Sequence, residues 1–184
     1  MRLTLLTALM PAWLALAGTA RADITSGPEV GVKVPALPVA AVTGPVENKD
    51  VDYARERGGK PTVFLFVSAA NWDRPMARFL RKLDGELGSV GEDSAAVAVW
   101  LSEKPDEAKD YLPRAQQSLQ FQQTALTVFT GEQPDPKDWG INSLAHLTAV
   151  VAKDGKVVAR FAYQSVNETD VPKVVEALKK ALGK

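Results

Sequence analysis

A continuous apolar run followed directly by an amphipathic helix is the feature that most restricts the fold of this 184-residue chain. The run, PTVFLFVSAA, spans residues 61–70 and is rich in Val and Phe, as expected of a central strand with both faces buried in a helix-covered sheet. After Asp73, which is predicted to cap the helix, and Pro75, which suits its first turn, apolar residues recur at helical spacing. These residues are Met76, Phe79, Leu80, Leu83 and Leu87.

The alternation of strand and helix patterns continues along the chain. Residues 95–103 and 124–132 predict two further strands. The segment between them, residues 104–121, predicts a helix that is interrupted or bent at Pro113. An acidic stretch around the start of this segment is balanced by lysines and predicts an ordinary exposed face; its residues are Glu103, Asp106, Glu107 and Asp110.

The C-terminal part predicts a hairpin and a final helix. Two β-rich runs within residues 147–165 flank Asp154-Gly155, a strong turn signal. A helix is expected from about Thr169. Strands that alternate with helices and then end in a hairpin and a helix predict an α/β fold, with a central mixed β-sheet flanked by helices.

The N-terminal residues 1–22 predict a secretory signal peptide. An apolar stretch at 3–17 is followed by A-R-A at 20–22, which matches the A-x-A cleavage pattern and predicts a cut before Asp23. An uncleaved membrane anchor is the alternative, but Pro11 interrupts the stretch, which is shorter than the roughly 20 residues of a span. We therefore expect an exported protein, periplasmic or extracellular, with no stable membrane insertion after cleavage.

Charge and cysteine content exclude several classes of function. The chain has 22 basic and 22 acidic residues, and residues 1–22 hold Arg2 and Arg21 but no acid, so the remainder is slightly acidic. Without a basic cluster, nothing in it predicts nucleic-acid binding. The chain has no cysteine, so disulfides, thiol redox chemistry and thiolate metal sites are excluded.

The loop between the apolar run and the helix, Trp72-Asp73-Arg74-Pro75-Met76, resembles the W-C-x-P-C motif of the thioredoxin-like superfamily in its secreted, redoxin-like (TlpA-like) branch. Trp and Pro are kept, whereas Asp73 and Met76 stand at the two cysteine positions. The D-G hairpin and the lead-in VGVKVPALPV are also similar to that branch, and the resemblance covers about residues 30–182. It implies a thioredoxin-like sandwich at 46–184 behind an extended lead-in at 23–45 that carries short edge strands.

The resemblance also shows what has been lost. The family places a cis-proline before the first hairpin strand, and here that position falls at Ala145 or His146. Disulfide exchange needs an attacking thiolate and a leaving sulfur, so this chain is a degenerate member of the pattern. Thiol-disulfide oxidoreductase and peroxidase activities are therefore excluded.

The candidate binding site is this degenerate loop, Trp72, Asp73, Arg74, Pro75 and Met76, together with His146. Each residue also has a structural interpretation, because Asp73 suits a helix cap, Met76 suits the core and Trp72 suits packing against the loop. We predict no catalytic residue, cofactor or metal site, since one His and one Asp are too few ligands for a metal.

Three functions remain open from the sequence. The first is a redox-inactive module that binds an as yet unknown protein or peptide through the degenerate loop. The second is a non-thiol enzyme, such as a hydrolase, that uses Asp73 and His146 as an acid–base pair; Ser68 and Ser143 are near in the chain, but no motif marks either as a nucleophile. The third is a structural module whose former site has no function.

Overall fold

The structure is a computed structural model that describes residues 24–133 and 135–184, so the predicted signal peptide lies outside the described residues. The strands are β1 (Pro38–Ala41), β2 (Lys49–Asp52), β3 (Thr62–Ser68), β4 (Ala95–Leu101), β5 (Thr124–Val128), β6 (Leu147–Lys153) and β7 (Lys156–Tyr163). The helices are α1 (Tyr53–Arg57), α2 (Arg74–Val90), α3 (Pro105–Leu119) and α4 (Val171–Ala181).

The seven strands form one mixed sheet in the order β2-β1-β5-β4-β3-β6-β7. The three strands joined by α2 and α3 are parallel, and every other pairing is antiparallel. Strand β3 lies inside the sheet between β4 and β6. The predicted α/β fold with a central mixed sheet flanked by helices is confirmed.

Side chains of β3 are buried on both faces of the sheet. Val63, Leu65 and Val67 point into a core shared with α2, α3 and α4. Phe64 and Phe66 point into a second core on the other face, where the ring of Phe66 lies 4.7 Å from that of Trp139, centroid to centroid. Burying such a run removes most of its apolar surface from water, which contributes about 25 cal/mol per Å².

Helix α2 begins as the sequence predicts. The Asp73 carboxylate accepts a hydrogen bond from the backbone N–H of Met76 at 2.9 Å, and Pro75 lies in the first turn. The predicted apolar stripe is buried along its full length. This capped and packed helix holds the preceding loop at a fixed place at the end of β3.

The predicted hairpin is also present, and its turn has the expected conformation. Asp154 and Gly155 have φ angles of 53° and 73°, the left-handed pair that a type I′ turn requires. The hairpin fixes β6, and therefore the loop before β6, beside β3.

Two details of local structure differ from the sequence predictions. Helix α3 is not interrupted at Pro113, which lies on its exposed face, so tertiary packing outweighs the loss of one helical hydrogen bond. The lead-in carries β1, which lies between β2 and β5 and not at an edge. The edge strand β2 forms where the sequence pattern predicted no strand, and the Asp52 carboxylate fixes that corner by accepting hydrogen bonds from the backbone N–H groups of Leu37 and Ala54.

Candidate functional site

The degenerate loop and the His146 loop meet at the end of β3. After Ser68 the chain makes a 3-10 turn, Ala69–Asn71, and then enters α2. The backbone N–H of Ser68 donates to the carbonyl of His146 at 3.0 Å. The structure therefore brings the two predicted parts of the site to one edge of the sheet.

Trp72 is half-buried and packed into an aromatic cluster made of Trp72, Trp100 and Tyr111. Its ring lies 5.0 Å from that of Trp100, centroid to centroid, in an edge-to-face arrangement, which such rings prefer. Its indole N–H donates to the hydroxyl of Tyr111 at 2.8 Å. Since Tyr111 is 37% exposed and Trp100 is buried, the cluster presents an aromatic edge to solvent and is anchored in the core through Trp100.

The remaining loop residues differ in solvent exposure. Met76 is 2% exposed and belongs to the helix-side core, so its thioether faces away from any ligand. Asp73 is exposed, although its carboxylate is engaged as the helix cap. Arg74 is exposed and Pro75 half-buried. The surface of the loop is thus formed by Asp73, Arg74, Pro75 and one edge of Trp72.

His146 is held by its backbone rather than by its imidazole. Its N–H donates to the carbonyl of Tyr163 at 2.8 Å, and its carbonyl accepts from Ser68. Within residues 24–133 and 135–184, no hydrogen bond or ion pair joins the imidazole of His146 to Asp73. The geometry supplies no acid–base pair between these two residues.

A cleft of about 820 Å³ opens beside the loop, at the carboxyl ends of β3, β4 and β5. We call it the carboxyl-edge cleft. Its apolar lining includes Leu101, Phe129 and Ile141. The turn after β3 and the loop before β6 complete its walls, with Ser68, Ala69, Ala70, Asn142, Ser143 and Ala145. The carboxyl ends of sheet strands are where ligands bind in open α/β sheets.

Gly131 shapes one wall of this cleft. A β-carbon on Gly131 would overlap the ring of Phe129, so the ring lies directly against the glycine backbone. Only glycine allows this approach. No local sequence pattern indicates this contact, because it depends on how the chain turns back after β5.

The mouth of the cleft is acidic. Glu103, Glu107, Glu132 and Asp135 line it, against a single basic residue, Lys104. The Lys104 ammonium pairs with Glu107 at 2.9 Å, and the hydrogen bond that it donates to that carboxylate raises the pKa of Lys104. The expectation that Glu103 and Glu107 belong to an ordinary exposed face is therefore incomplete, since both also line a concave site.

The described part of the chain contains no group of three His, Cys, Asp or Glu side chains placed to hold a metal ion. Among the same residues, no helix has both the length and the apolar character needed to cross a membrane.

Comparison with known proteins supports the fold. No family model and no curated protein matches the sequence, but many solved structures match the fold. A protein assigned as the thiol:disulfide interchange protein DsbE from Chlorobium tepidum aligns with a TM-score of 0.62 at 18% identity, over 84% of this chain and 99% of that one. Reduced Prx3 in complex with hydrogen peroxide, from Vibrio vulnificus, gives 0.61 at 15% identity, over 88% and 99%.

A secreted thiol-disulfide isomerase from Corynebacterium glutamicum aligns with a TM-score of 0.58 at 12% identity, over 79% of this chain and 84% of that one. At these identities the likeness shows the fold alone. All three names refer to thiol or peroxide chemistry, whereas this chain contains no cysteine. The chain therefore has a thioredoxin-like fold, and it lacks the cysteines on which thiol chemistry depends.

Proposed function

We propose that this chain is an exported, redox-inactive thioredoxin-fold protein that binds a protein or peptide at the carboxyl-edge cleft and the adjoining loop. The proposal assigns recognition to Trp72, Asp73, Arg74, Pro75 and the His146 loop, whereas Met76 supports the loop from the core. It invokes no catalytic residue, cofactor or metal.

The observation that carries the proposal is the cleft itself. Its volume of about 820 Å³ falls within the range of roughly 300–1,000 Å³ that is typical of ligand sites. It lies beside the degenerate loop, and its apolar lining is bordered by polar groups from the loop before β6. Such a site offers contact area together with oriented hydrogen-bonding groups, and neither requires a thiol.

The exposed side chains around the cleft suit contact with a macromolecule. Leu144 stands between two lining residues and is 62% exposed, and the aromatic cluster presents Tyr111 nearby on the α3 side of the loop. Aromatic groups commonly anchor protein interfaces, and an exposed apolar side chain adds contact area beside them. Because the Trp72 ring already packs against Trp100 and bonds to Tyr111, binding would cost little conformational entropy at this side chain.

Export and domain organisation form part of the same proposal. Residues 1–22 carry the signal-peptide pattern, and the sandwich predicted for 46–184 follows the lead-in at 23–45. Mass spectrometry of protein from the periplasmic or culture fraction tests this, because a mature N-terminus at Asp23 is expected. A full-length chain retained in the membrane fraction would contradict it.

Photo-crosslinking in the native host tests the binding function. A photoreactive residue is placed at Arg74 or at Leu144, and the control carries it at Lys179, an exposed position on α4. Discrete adducts from Arg74 and Leu144 that are absent from Lys179 are expected. Equal labelling at all three positions, or none from a folded and exported protein, would favour a structural module without a binding site.

A thiol assay gives an independent check on the redox-inactive part of the proposal. The protein should neither accelerate insulin reduction by dithiothreitol nor consume peroxide, because it has no cysteine. Turnover above a heat-denatured control in either assay would refute this part.

A further inference from the structure

Charge is distributed unevenly around the carboxyl-edge cleft. Four carboxylates and one ammonium line it. On the other side of the degenerate loop, the exposed side chains of α2 are mostly basic, namely Arg74, Arg78, Arg81 and Lys82. Two of these basic groups are paired, Arg78 with Glu168 and Lys82 with Glu86, whereas the cleft itself carries a net negative charge.

Within residues 24–133 and 135–184, most of the negative charge in the cleft has no counterion. Glu107 is paired with Lys104. In the described part of the chain, Glu103, Glu132 and Asp135 form no ion pair. A concave site lined by one sign of charge above an apolar surface focuses the field and attracts the opposite charge.

The lining of the cleft adds a second requirement for the ligand. Leu101, Phe129 and Ile141 form an apolar surface, and the free carboxylates stand at the mouth. Lys and Arg side chains match this arrangement, because they lay an aliphatic stem along apolar surface and keep the charged head in a polar setting. A small inorganic cation would leave the apolar surface uncovered.

The dimensions of the cleft suit an extended chain. It crosses the ends of three adjacent strands. Since neighbouring strands lie about 4.8 Å apart, the crossing is on the order of 10 Å, or about three residues of extended peptide. We propose that the carboxyl-edge cleft binds an extended peptide segment that bears Lys or Arg side chains. This inference rests on the proposed binding function and names the chemistry of the partner.

A set of model peptides tests the inference. Three blocked heptapeptides alternate Ala with Lys, Glu or Gln, and each is titrated into the ¹⁵N-labelled protein at low and at moderate salt. The Lys peptide should shift the amide signals of Ala69, Ala70, Ser143 and Ala145, and should bind at least tenfold more tightly than the Gln peptide at low salt. Raising the salt should reduce this preference, because exposed charges are screened.

Matched triple variants separate the cleft from net charge. Glu103→Gln combined with Glu132→Gln and Asp135→Asn should weaken binding of the Lys peptide about tenfold, as expected from three exposed charge contacts. The control carries the same change of charge at exposed carboxylates away from the cleft, with Glu56, Glu92 and Glu176 each changed to Gln. It should alter the affinity less than twofold.

The other outcomes overturn the inference in distinguishable ways. Equal binding of the Gln and Lys peptides at the same amides would leave the peptide-binding function standing and refute the charge preference. If no peptide shifts these amides while the Arg74 and Leu144 probes still crosslink, the partner does not use the cleft in this way. If spermidine shifts the same amide signals and binds with the same affinity as the Lys peptide, the site recognises a small polyamine.

Discussion

Asp84 offers the sharpest test of how the fold is held together. It lies in the middle of α2, and it is 6% exposed although it carries a carboxylate. Its oxygens accept hydrogen bonds from the backbone N–H of Gln122 at 3.0 Å and of Gln123 at 2.8 Å. These two residues lead into β5, so Asp84 ties the site-bearing helix to the start of a central strand.

The cost of removing this carboxylate follows from those two bonds. Hydrogen bonds to a charged group contribute about 1.5–3 kcal/mol each, and an unsatisfied donor costs about 1–3 kcal/mol. Because the two N–H groups are only partly buried, water recovers part of this loss. We expect Asp84→Ala to lower the free energy of unfolding by about 3 kcal/mol, and Asp84→Asn, which keeps one acceptor oxygen, by about 1 kcal/mol.

Urea unfolding followed by tryptophan fluorescence measures these changes. With a slope of about 2 kcal/mol/M, the midpoint of Asp84→Ala should fall by about 1.5 M with the slope unchanged. The control is Asp110→Asn, an exposed carboxylate on α3, which should shift the midpoint by less than about 0.3 M. If Asp84→Ala behaved like this control, the two hydrogen bonds would contribute nothing measurable, and the reasoning would be refuted.

Three further changes give defined outcomes. Asp73→Ala removes the cap of α2 and should cost about 1 kcal/mol in urea unfolding, whereas Asp73→Ser should cost less than half of that; equal losses would contradict the cap. Gly155→Ala places a β-carbon at a φ of 73° and should destabilise the hairpin by about 1 kcal/mol; an unchanged urea midpoint would contradict the type I′ turn. Burial, more than the nearby charge of Asp170, raises the pKa of Tyr163. The contribution of the neutral Tyr163 hydroxyl to stability is therefore complete below the unfolded pKa of about 10, and it is lost as pH rises through the folded pKa. Tyr163→Phe should therefore flatten the fall in stability above about pH 10 in urea unfolding at pH 8–11, and equal slopes for the two proteins would argue against it.

Much of the fold could be predicted because it is determined locally. The β3 run, the cap at Asp73, the apolar stripe of α2 and the Asp-Gly turn each depend on residues a few positions apart. Side-chain periods and backbone preferences act over the same short range. Strand β2 was missed because its signal lies in its antiparallel pairing with β1 and in the hydrogen bonds of Asp52.

The candidate site could be predicted only in part. The loop at Trp72 and its closeness to the His146 loop followed from the resemblance to redoxins, and the structure places both at the end of β3. The cleft could not be predicted, because its walls come from the ends of three strands and from the loop before β6. Glu103 and Asp135 are both found at its mouth only because the parallel strands end at one edge.

The sequence by itself determined the succession of strands and helices from β3 to α4 and the absence of thiol chemistry, since local periodicity and a cysteine count of zero require no tertiary information. Only the tertiary structure decided that Asp84 accepts hydrogen bonds from Gln122 and Gln123. The same holds for the packing of Trp72 against Trp100 and for the acidic residues that line one cleft. These contacts join distant segments through sheet order and helix packing, and a local sequence pattern does not record which distant residues will meet.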